Sequence, residues 1–246
     1  MTHPLPAAIA IAIIAALDRE IAPLVRASSD FGPWTSRVVE AQGRKLKLYQ
    51  HDDVLVVVGG IGAHAARVAT DTAFRASSGK LELIISAGLA GALAEELKTG
   101  DIVIPAEVVD STDGLKLSTA GGSGTLVSAG SVADAVVKKM LAARHIARAV
   151  DMEAFAVGDV ARIHGVPFMA VKAIADELSF PMPPLARFVT AEGSFQTARF
   201  ALYAALRPWL WRTMARLGRD SSQAAAALAP ALRSTITRFR AQGRLQ

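Results

Sequence analysis

Two stretches of the sequence place acidic residues where apolar runs end. The chain reads AVDMEAFA over residues 149–156 and AIADE over residues 173–177. Glu153 stands at the start of a predicted helix, and Asp176 follows an apolar run that is typical of a strand covered on both faces. Open α/β sheets bind ligands at the carboxyl ends of their strands, so these acids are candidates for one site.

Apolar runs and helical patterns alternate along the chain, which favours a largely parallel α/β sheet. Strands are predicted at residues 9–16, 54–58, 83–86, 101–105 and 168–174. Helices are predicted at residues 18–28, 62–77, 132–144, 153–164, 194–217 and 222–240. Residues 110–130, rich in Gly, Ser and Thr, are predicted to form a loop around one strand. We therefore predict one domain over residues 1–198 and a helical segment, 199–246, packed on it.

Composition limits the class of protein. The chain has 246 residues, of which 52% are apolar, enough to bury one large core. It has no cysteine, which suits a reducing cytoplasm and leaves no disulfide or thiolate metal site. The apolar run 7–17 is short and follows no basic residue, so we predict a buried strand and not a signal peptide or a membrane span.

The net charge of +5 is concentrated in the C-terminal segment. Residues 199–246 hold nine arginines and one acid, Asp220, whereas the rest of the chain is slightly acidic. This distribution indicates an appended surface element and no nucleic-acid-binding core. Trp209 and Trp211 beside arginines on an amphipathic pattern are also compatible with a membrane surface, so a cytoplasmic protein with peripheral membrane contact stays open.

Three further segments complete a recognisable pattern. They read GGIG over residues 59–62, SAGLAGAL over 86–93 and KTGDIVIP over 98–105. With the two acidic stretches, they make the chain resemble the nucleoside phosphorylase and nucleosidase superfamily, most closely its methylthioadenosine/S-adenosylhomocysteine nucleosidase branch. The resemblance implies a three-layer α/β/α fold with a mixed, mostly parallel sheet. It also implies a homodimer and cleavage of the N-glycosidic bond of an adenine nucleoside, without a metal or an organic cofactor.

The resemblance assigns roles to four residues. Glu20, in the run IIAALDRE over residues 13–20, would be the general base that activates water. Glu153 would bind the ribose hydroxyls above Met152, and Asp176 would protonate the departing purine. Taken alone, each acid also suits a helix start or a turn, where it interacts favourably with the helix dipole. The roles therefore rest on the family pattern.

Other candidate binding residues show where the chain departs from that pattern. Gly88, Leu89, Ile61, Val132 and Ala133 are expected to line the substrate site. Leu89 replaces the hydroxyl or thiol residue of relatives, and Val132 replaces an aromatic residue that stacks on the base. A phosphate in a dry pocket needs paired donors, so Leu89 favours water as the nucleophile.

Three alternatives remain open at this stage. Arg67 could supply a phosphate site, which would make the protein a phosphorylase. Hopanoid-associated phosphorylases also carry an apolar residue at the Leu89 position, and they act on a lipid-linked adenosyl group. A non-catalytic nucleoside-binding protein is the third alternative, favoured by Leu89 and Val132.

Overall fold

The structure, a computed structural model, describes residues 9–26, 32–183, 185–188, 190, 196, 199–200, 203 and 207–243. Its strands are β1 (Ile11–Ala15), β2 (Thr35–Ala41), β3 (Arg44–His51), β4 (Val54–Val58), β5 (Leu83–Ala92), β6 (Ile102–Val103), β7 (Glu107–Asp110), β8 (Lys116–Ser118), β9 (Thr125–Ser128), β10 (Ala149–Asp151) and β11 (Phe168–Asp176). Its helices are α1 (Asp18–Arg26), α2 (Ala63–Ala76), α3 (Ala135–His145), α4 (Ala154–Ile163) and α5 (Pro208–Gly243), and a 3-10 turn spans Leu185–Phe188.

The strands form one mixed sheet. Its order is β2-β3-β4-β1-β5-β10-β9-β7-β8, and β11 pairs with β5 and β6. The parallel pairs are β4–β1, β1–β5, β5–β11, β10–β9 and β9–β7. Antiparallel hairpins extend the sheet at its outer strands. Helices cover both faces of this sheet, which confirms the predicted three-layer fold.

Strand β1 shows how the layers are built. Its side chains alternate between the two faces of the sheet, as the period of two in a strand requires. Ile11 and Ile13 pack with α1 and α5, and Ile14 packs on the opposite face with α2 and α4. None of Ile11, Ile13 or Leu228 of α5 exposes any surface, and full burial of such a side chain stabilises the fold by about 1.5–3 kcal/mol.

The C-terminal helices differ from the prediction. The structure has one continuous helix, α5, where we predicted helices at 194–217 and 222–240; most of residues 194–207 lie outside the described residues. The reason lies in the spacing between two apolar stripes of the sequence, one formed by Leu210, Met214 and Leu217 and the other by Leu228, Leu232, Ile236 and Phe239. Leu217 and Leu228 are separated by three helical turns, so both stripes lie on one face of a single helix.

Strand boundaries also differ from the prediction. Strand β5 runs from Leu83 to Ala92, well beyond the predicted end at residue 86, because its glycine-rich half continues the pairing with β11. The segment 110–130 holds β8 and β9 instead of a loop around one strand. The hairpin β2–β3 turns at Gln42 and Gly43, which both have positive φ as a tight hairpin turn requires.

Candidate active site

A cavity of about 510 Å³ lies at the carboxyl ends of β1, β5, β10 and β11. The segment after β1 supplies Glu20, the end of β5 supplies Leu89, and the segment after β10 supplies Met152 and Glu153. Asp176 ends β11. The structure thus brings together eight of the residues predicted from the sequence, which are Glu20, Ile61, Leu89, Val132, Ala133, Met152, Glu153 and Asp176.

Arg67 does not belong to this group. Its guanidinium donates to the Asp159 carboxylate at 2.6 Å, and it does not line the cavity. Asp159 also accepts from Arg162, and these two guanidinium groups lower the pKa of Asp159. The expectation that Arg67 supplies a phosphate site is therefore corrected, because its charge is already paired away from the cavity.

Gly88 lies beneath the Glu20 carboxylate and is not itself part of the cavity lining. A Cβ atom at this position would lie 3.1 Å from Glu20 Oε2, and the backbone φ of +155° favours glycine. The structure thus gives Gly88 a packing role, and its contact with a substrate stays a prediction. Gly88 lets the Glu20 carboxylate approach the backbone of β5.

Glu20 is almost completely buried, with 6% of its surface exposed. The backbone N–H of Leu17 donates to Oε2 at 3.2 Å. Burial raises the pKa of Glu20, although the Leu17 N–H and the positive charge of Lys172 partly oppose this effect. A carboxylate with a raised pKa is a better proton acceptor near neutral pH, which is what a general base requires.

Glu153 immediately precedes α4 and is held by two backbone donors. The N–H of Gly62 donates to Oε1 at 2.8 Å, and the N–H of Met152 contacts Oε2 at 3.3 Å. The Gly62 turn thus fixes a side chain of this protein. Burial and the negative charge of Asp151 raise the pKa of Glu153 to about 7.

This raised pKa leads to a prediction about stability. The pKa of Glu153 in the folded protein lies above its ordinary value of 4.5, so the folded state binds this proton more tightly than the unfolded state does. The contribution of protonated Glu153 to stability is fully present below pH 4.5 and is lost as the pH rises through about 7. We expect the free energy of unfolding to fall by about 1 kcal/mol on this account as the pH rises from 6 to 8. Urea denaturation of wild type and Glu153→Gln measures the difference.

In the Glu153→Gln variant we expect the free energy of unfolding to change less with pH than in the wild type, since glutamine cannot lose a proton. Glu40→Gln, an exposed glutamate on β2, serves as the matched control and should follow the wild type. Equal slopes for wild type and Glu153→Gln would show that Glu153 does not titrate in this range.

A buried lysine on β11, which sequence reasoning missed, lies behind these acids. Lys172 exposes 1% of its surface, pairs with Asp151 at 2.8 Å and donates to Ser86 Oγ at 3.0 Å. Burial alone would lower the pKa of Lys172, but Asp151 and Glu153 outweigh it and raise the pKa. The ammonium therefore stays charged and offsets part of the negative charge of the site.

Asp151 completes this network. It accepts hydrogen bonds from Ser128 Oγ at 2.6 Å and from the Ala154 N–H at 2.8 Å, in addition to its ion pair with Lys172. The strand β10 and the start of α4 are thereby fixed to β9 and β11. One signal in the sequence could have indicated that Lys172 is buried, namely its place as the single lysine inside the apolar run 168–176.

A second buried lysine contacts Asp176. Lys138 of α3 exposes 1% of its surface and forms an ion pair with Asp176 Oδ2. Burial raises the pKa of Asp176, and the adjacent positive charge of Lys138 opposes the increase. Lys139, the next residue after Lys138, is exposed. The sequence alone does not distinguish which of these two lysines is buried.

The remaining wall of the cavity is apolar. It is formed by α5 and by the segment that precedes it, through Met182, Leu185, Phe200, Met214 and Leu217. Among the described residues that line the cavity, the positively charged ones are Arg19, at an exposed position, and Lys138. The described acids and histidines form no group of three that could hold a metal ion.

Part of the chain is similar to a known protein family. Residues 10–124 match the sequence model of the phosphorylase superfamily. No curated protein matches the chain. This match agrees with the resemblance to the superfamily that the sequence motifs indicated. It also agrees with the prediction of an enzyme of this kind.

Solved structures share the fold at low sequence identity. The 5′-methylthioadenosine nucleosidase of Arabidopsis thaliana superposes with a TM-score of 0.70 at 19% identity, over 94% of this chain and 96% of that chain. Futalosine hydrolase of Helicobacter pylori superposes with a TM-score of 0.67 at 17% identity, over 94% of this chain and 98% of that chain. At these identities the likeness shows the fold.

Proposed function

We propose that this protein hydrolyses the N-glycosidic bond of an adenine nucleoside. Its residues 10–124 match the sequence model of the phosphorylase superfamily, and its fold is shared with nucleosidases. One observation carries the proposal. A single cavity holds Glu20 and Glu153 on one side and Asp176 at the end of a different strand. Methylthioadenosine and S-adenosylhomocysteine are the first substrates to consider, because similar structures include nucleosidases named for them.

The proposed mechanism uses each acid once. Ionised Glu153 accepts hydrogen bonds from the ribose 2′- and 3′-hydroxyls, which strengthen as the ring becomes cationic. Glu20 takes a proton from water while the water oxygen bonds to C1′. The C1′–N9 bond breaks, its electron pair moves to the purine, and Asp176 gives its proton to N7.

Water is favoured over phosphate by the charges around the cavity. Leu89 supplies no hydrogen-bond donor from its side chain, and Arg67 is paired with Asp159. The ammonium of Lys172 is already bound to Asp151 and Ser86. A buried phosphate would need several such donors, so hydrolysis is the better-supported reaction.

Adenine release from methylthioadenosine, S-adenosylhomocysteine and adenosine, each with and without phosphate, tests this proposal. We expect release at the same rate in both buffers. Release that requires phosphate would make the protein a phosphorylase, with Arg19 as the cation to examine. Tight binding without release would support the nucleoside-binding alternative, which has no need of an acid and a base in one cavity.

A second candidate is phosphorolysis of an adenosine whose 5′ carbon carries a polycyclic lipid, as in hopanoid-associated phosphorylases. The apolar wall formed by Met182, Leu185, Phe200, Met214 and Leu217 favours it. A series of 5′-alkylthioadenosines of increasing chain length is the test. For this candidate kcat/KM should rise with chain length and require phosphate, whereas a flat series would contradict it.

The location of the protein and its partners stay predictions. Trp209 and Trp211 of α5 are exposed by 72% and 56% and lie near Arg207 and Arg212, an arrangement compatible with a membrane surface. Of the described helices, none combines the length and the apolar character that spanning a bilayer requires. A cytoplasmic homodimer with peripheral membrane contact through this segment, and a C-terminal unit over residues 199–246, are the arrangements we propose.

A further inference from the structure

We propose that Lys138 is a positioning residue for Asp176. Lys138 holds one carboxylate oxygen of Asp176 and the nearby backbone, so that the other carboxylate oxygen faces the purine. This inference rests on the proposed function, since it assigns Asp176 as the acid. It adds a residue that neither the sequence pattern nor the comparisons point to. Three features of the contact between α3 and the end of β11 support this role.

The first feature is the set of acceptors around the Lys138 ammonium. An ammonium has three N–H groups, and Lys138 Nζ contacts three oxygens. They are Asp176 Oδ2, the Asp176 carbonyl at 3.2 Å and the Glu177 carbonyl at 2.8 Å. All three donors are thus directed at two adjacent residues, which leaves none for a substrate. Lys138 therefore acts through Asp176.

The second feature is the irregular end of β11. The pairing with β5 shifts register between Ile174 and Asp176, the last residue of the strand. Buried carbonyls at such a point need donors from outside the ladder, because an unpaired one costs free energy. Lys138 supplies them. The same side chain therefore fixes the backbone and the carboxylate of Asp176.

The third feature is the space that β5 leaves for the pair. A Cβ atom on Gly91 would lie 2.8 Å from Lys138 Cε and 3.2 Å from Asp176 Oδ2. Any larger residue would displace one member of the ion pair. Within the described structure, Asp176 Oδ1 accepts no hydrogen bond, and Asp176 lines the cavity. The free oxygen is the one available to the purine.

The charges near Asp176 determine what loss of Lys138 would do. Burial raises the pKa of Asp176, Lys138 opposes it, and Asp220 of α5 adds to the increase. Glu177, next in sequence, contacts Lys98 at 3.9 Å and Arg216 at 3.8 Å. Lys138 is the group that favours the carboxylate formed when the proton is transferred. Without it, Asp176 would retain its proton to higher pH.

The test compares Lys138→Met with Lys139→Met, its exposed neighbour on the same helix. Carbon-13 NMR of labelled aspartate carboxyls, with the Asp176 signal assigned from Asp176→Asn, follows the titration. We expect the midpoint of Asp176 to rise by about one to three pH units in Lys138→Met and to stay unchanged in Lys139→Met. Lys138→Arg should restore most of the wild-type midpoint, since it keeps the charge.

Kinetics provide the second readout. Asp176 acts in its protonated form, so activity falls as the pH rises through its pKa. In Lys138→Met we expect a lower kcat than in the wild type and a change in KM that is smaller than the change in kcat. We also expect its activity to fall at a higher pH than that of the wild type. In an Asp176→Asn background, Lys138→Met should cause no further loss of kcat.

Two results would overturn the inference. One is an unchanged Asp176 titration in Lys138→Met, and the other is a loss of kcat that is the same with and without Asp176. The NMR titration does not depend on turnover. If the wild type releases no base, the proposed function fails, while the titration still decides whether Lys138 controls Asp176.

Discussion

An Asp176→Asn variant is expected to release adenine about 10³-fold more slowly than the wild type, with KM changed much less. The departing purine carries the electron pair of the broken bond, and asparagine has no acidic proton to give to N7. The amide keeps the size of the carboxyl group, so the shape of the cavity is preserved. The rate of adenine formation under saturating substrate measures the effect.

The control for this variant is Glu177→Gln. Glu177 is the next residue, and its carboxylate contacts Lys98 and Arg216 near the protein surface. Glu177→Gln should keep the wild-type rate. If Asp176→Asn also kept it, Asp176 would have no role as the acid, and another group would have to protonate the base.

Glu20→Gln is expected to lower kcat by about 10²- to 10³-fold without lowering the stability of the fold. Glutamine cannot accept the proton of the attacking water. Burial disfavours the charge on Glu20, and its pKa is raised, so the ionised group destabilises the folded state as the pH rises through that pKa. A neutral side chain removes this cost. Steady-state kinetics and urea denaturation near pH 8 measure the two effects.

Glu82→Gln is the matched control for Glu20→Gln, because Glu82 is an exposed glutamate just before β5. It should leave both the rate and the denaturation curve unchanged. Full activity of Glu20→Gln would contradict the assignment of the general base. A lower rate together with a lower free energy of unfolding would instead indicate that Glu20 is needed for folding.

Much of the fold could be predicted from the sequence because it depends on local patterns. The apolar runs that became β1, β4, β5 and β11 are nearly continuous, and such runs indicate buried strands. Glu20 and Glu153 come shortly after β1 and β10, and Asp176 is the last residue of β11. Parallel pairing with β5 brings the ends of β1 and β11 to one edge, and β10, antiparallel to β5, places Glu153 in the same cavity.

The partners of the two buried lysines could not be predicted in the same way. Lys138 and Lys172 depend on partners far along the chain, at Asp176 and Asp151 respectively. Nothing in the local pattern of α3 distinguishes Lys138 from the exposed Lys139. The pairing of Arg67 with Asp159 is also a long-range contact, so the sequence left Arg67 as a false candidate for phosphate.

We propose that water, activated by Glu20, attacks C1′ of an adenine nucleoside. Turnover of the wild type in oxygen-18-labelled water containing phosphate tests it most directly, with mass spectrometry of the sugar product. We predict a free sugar that carries one labelled oxygen, formed together with adenine. A sugar 1-phosphate without the label would contradict hydrolysis and show that phosphate is the nucleophile.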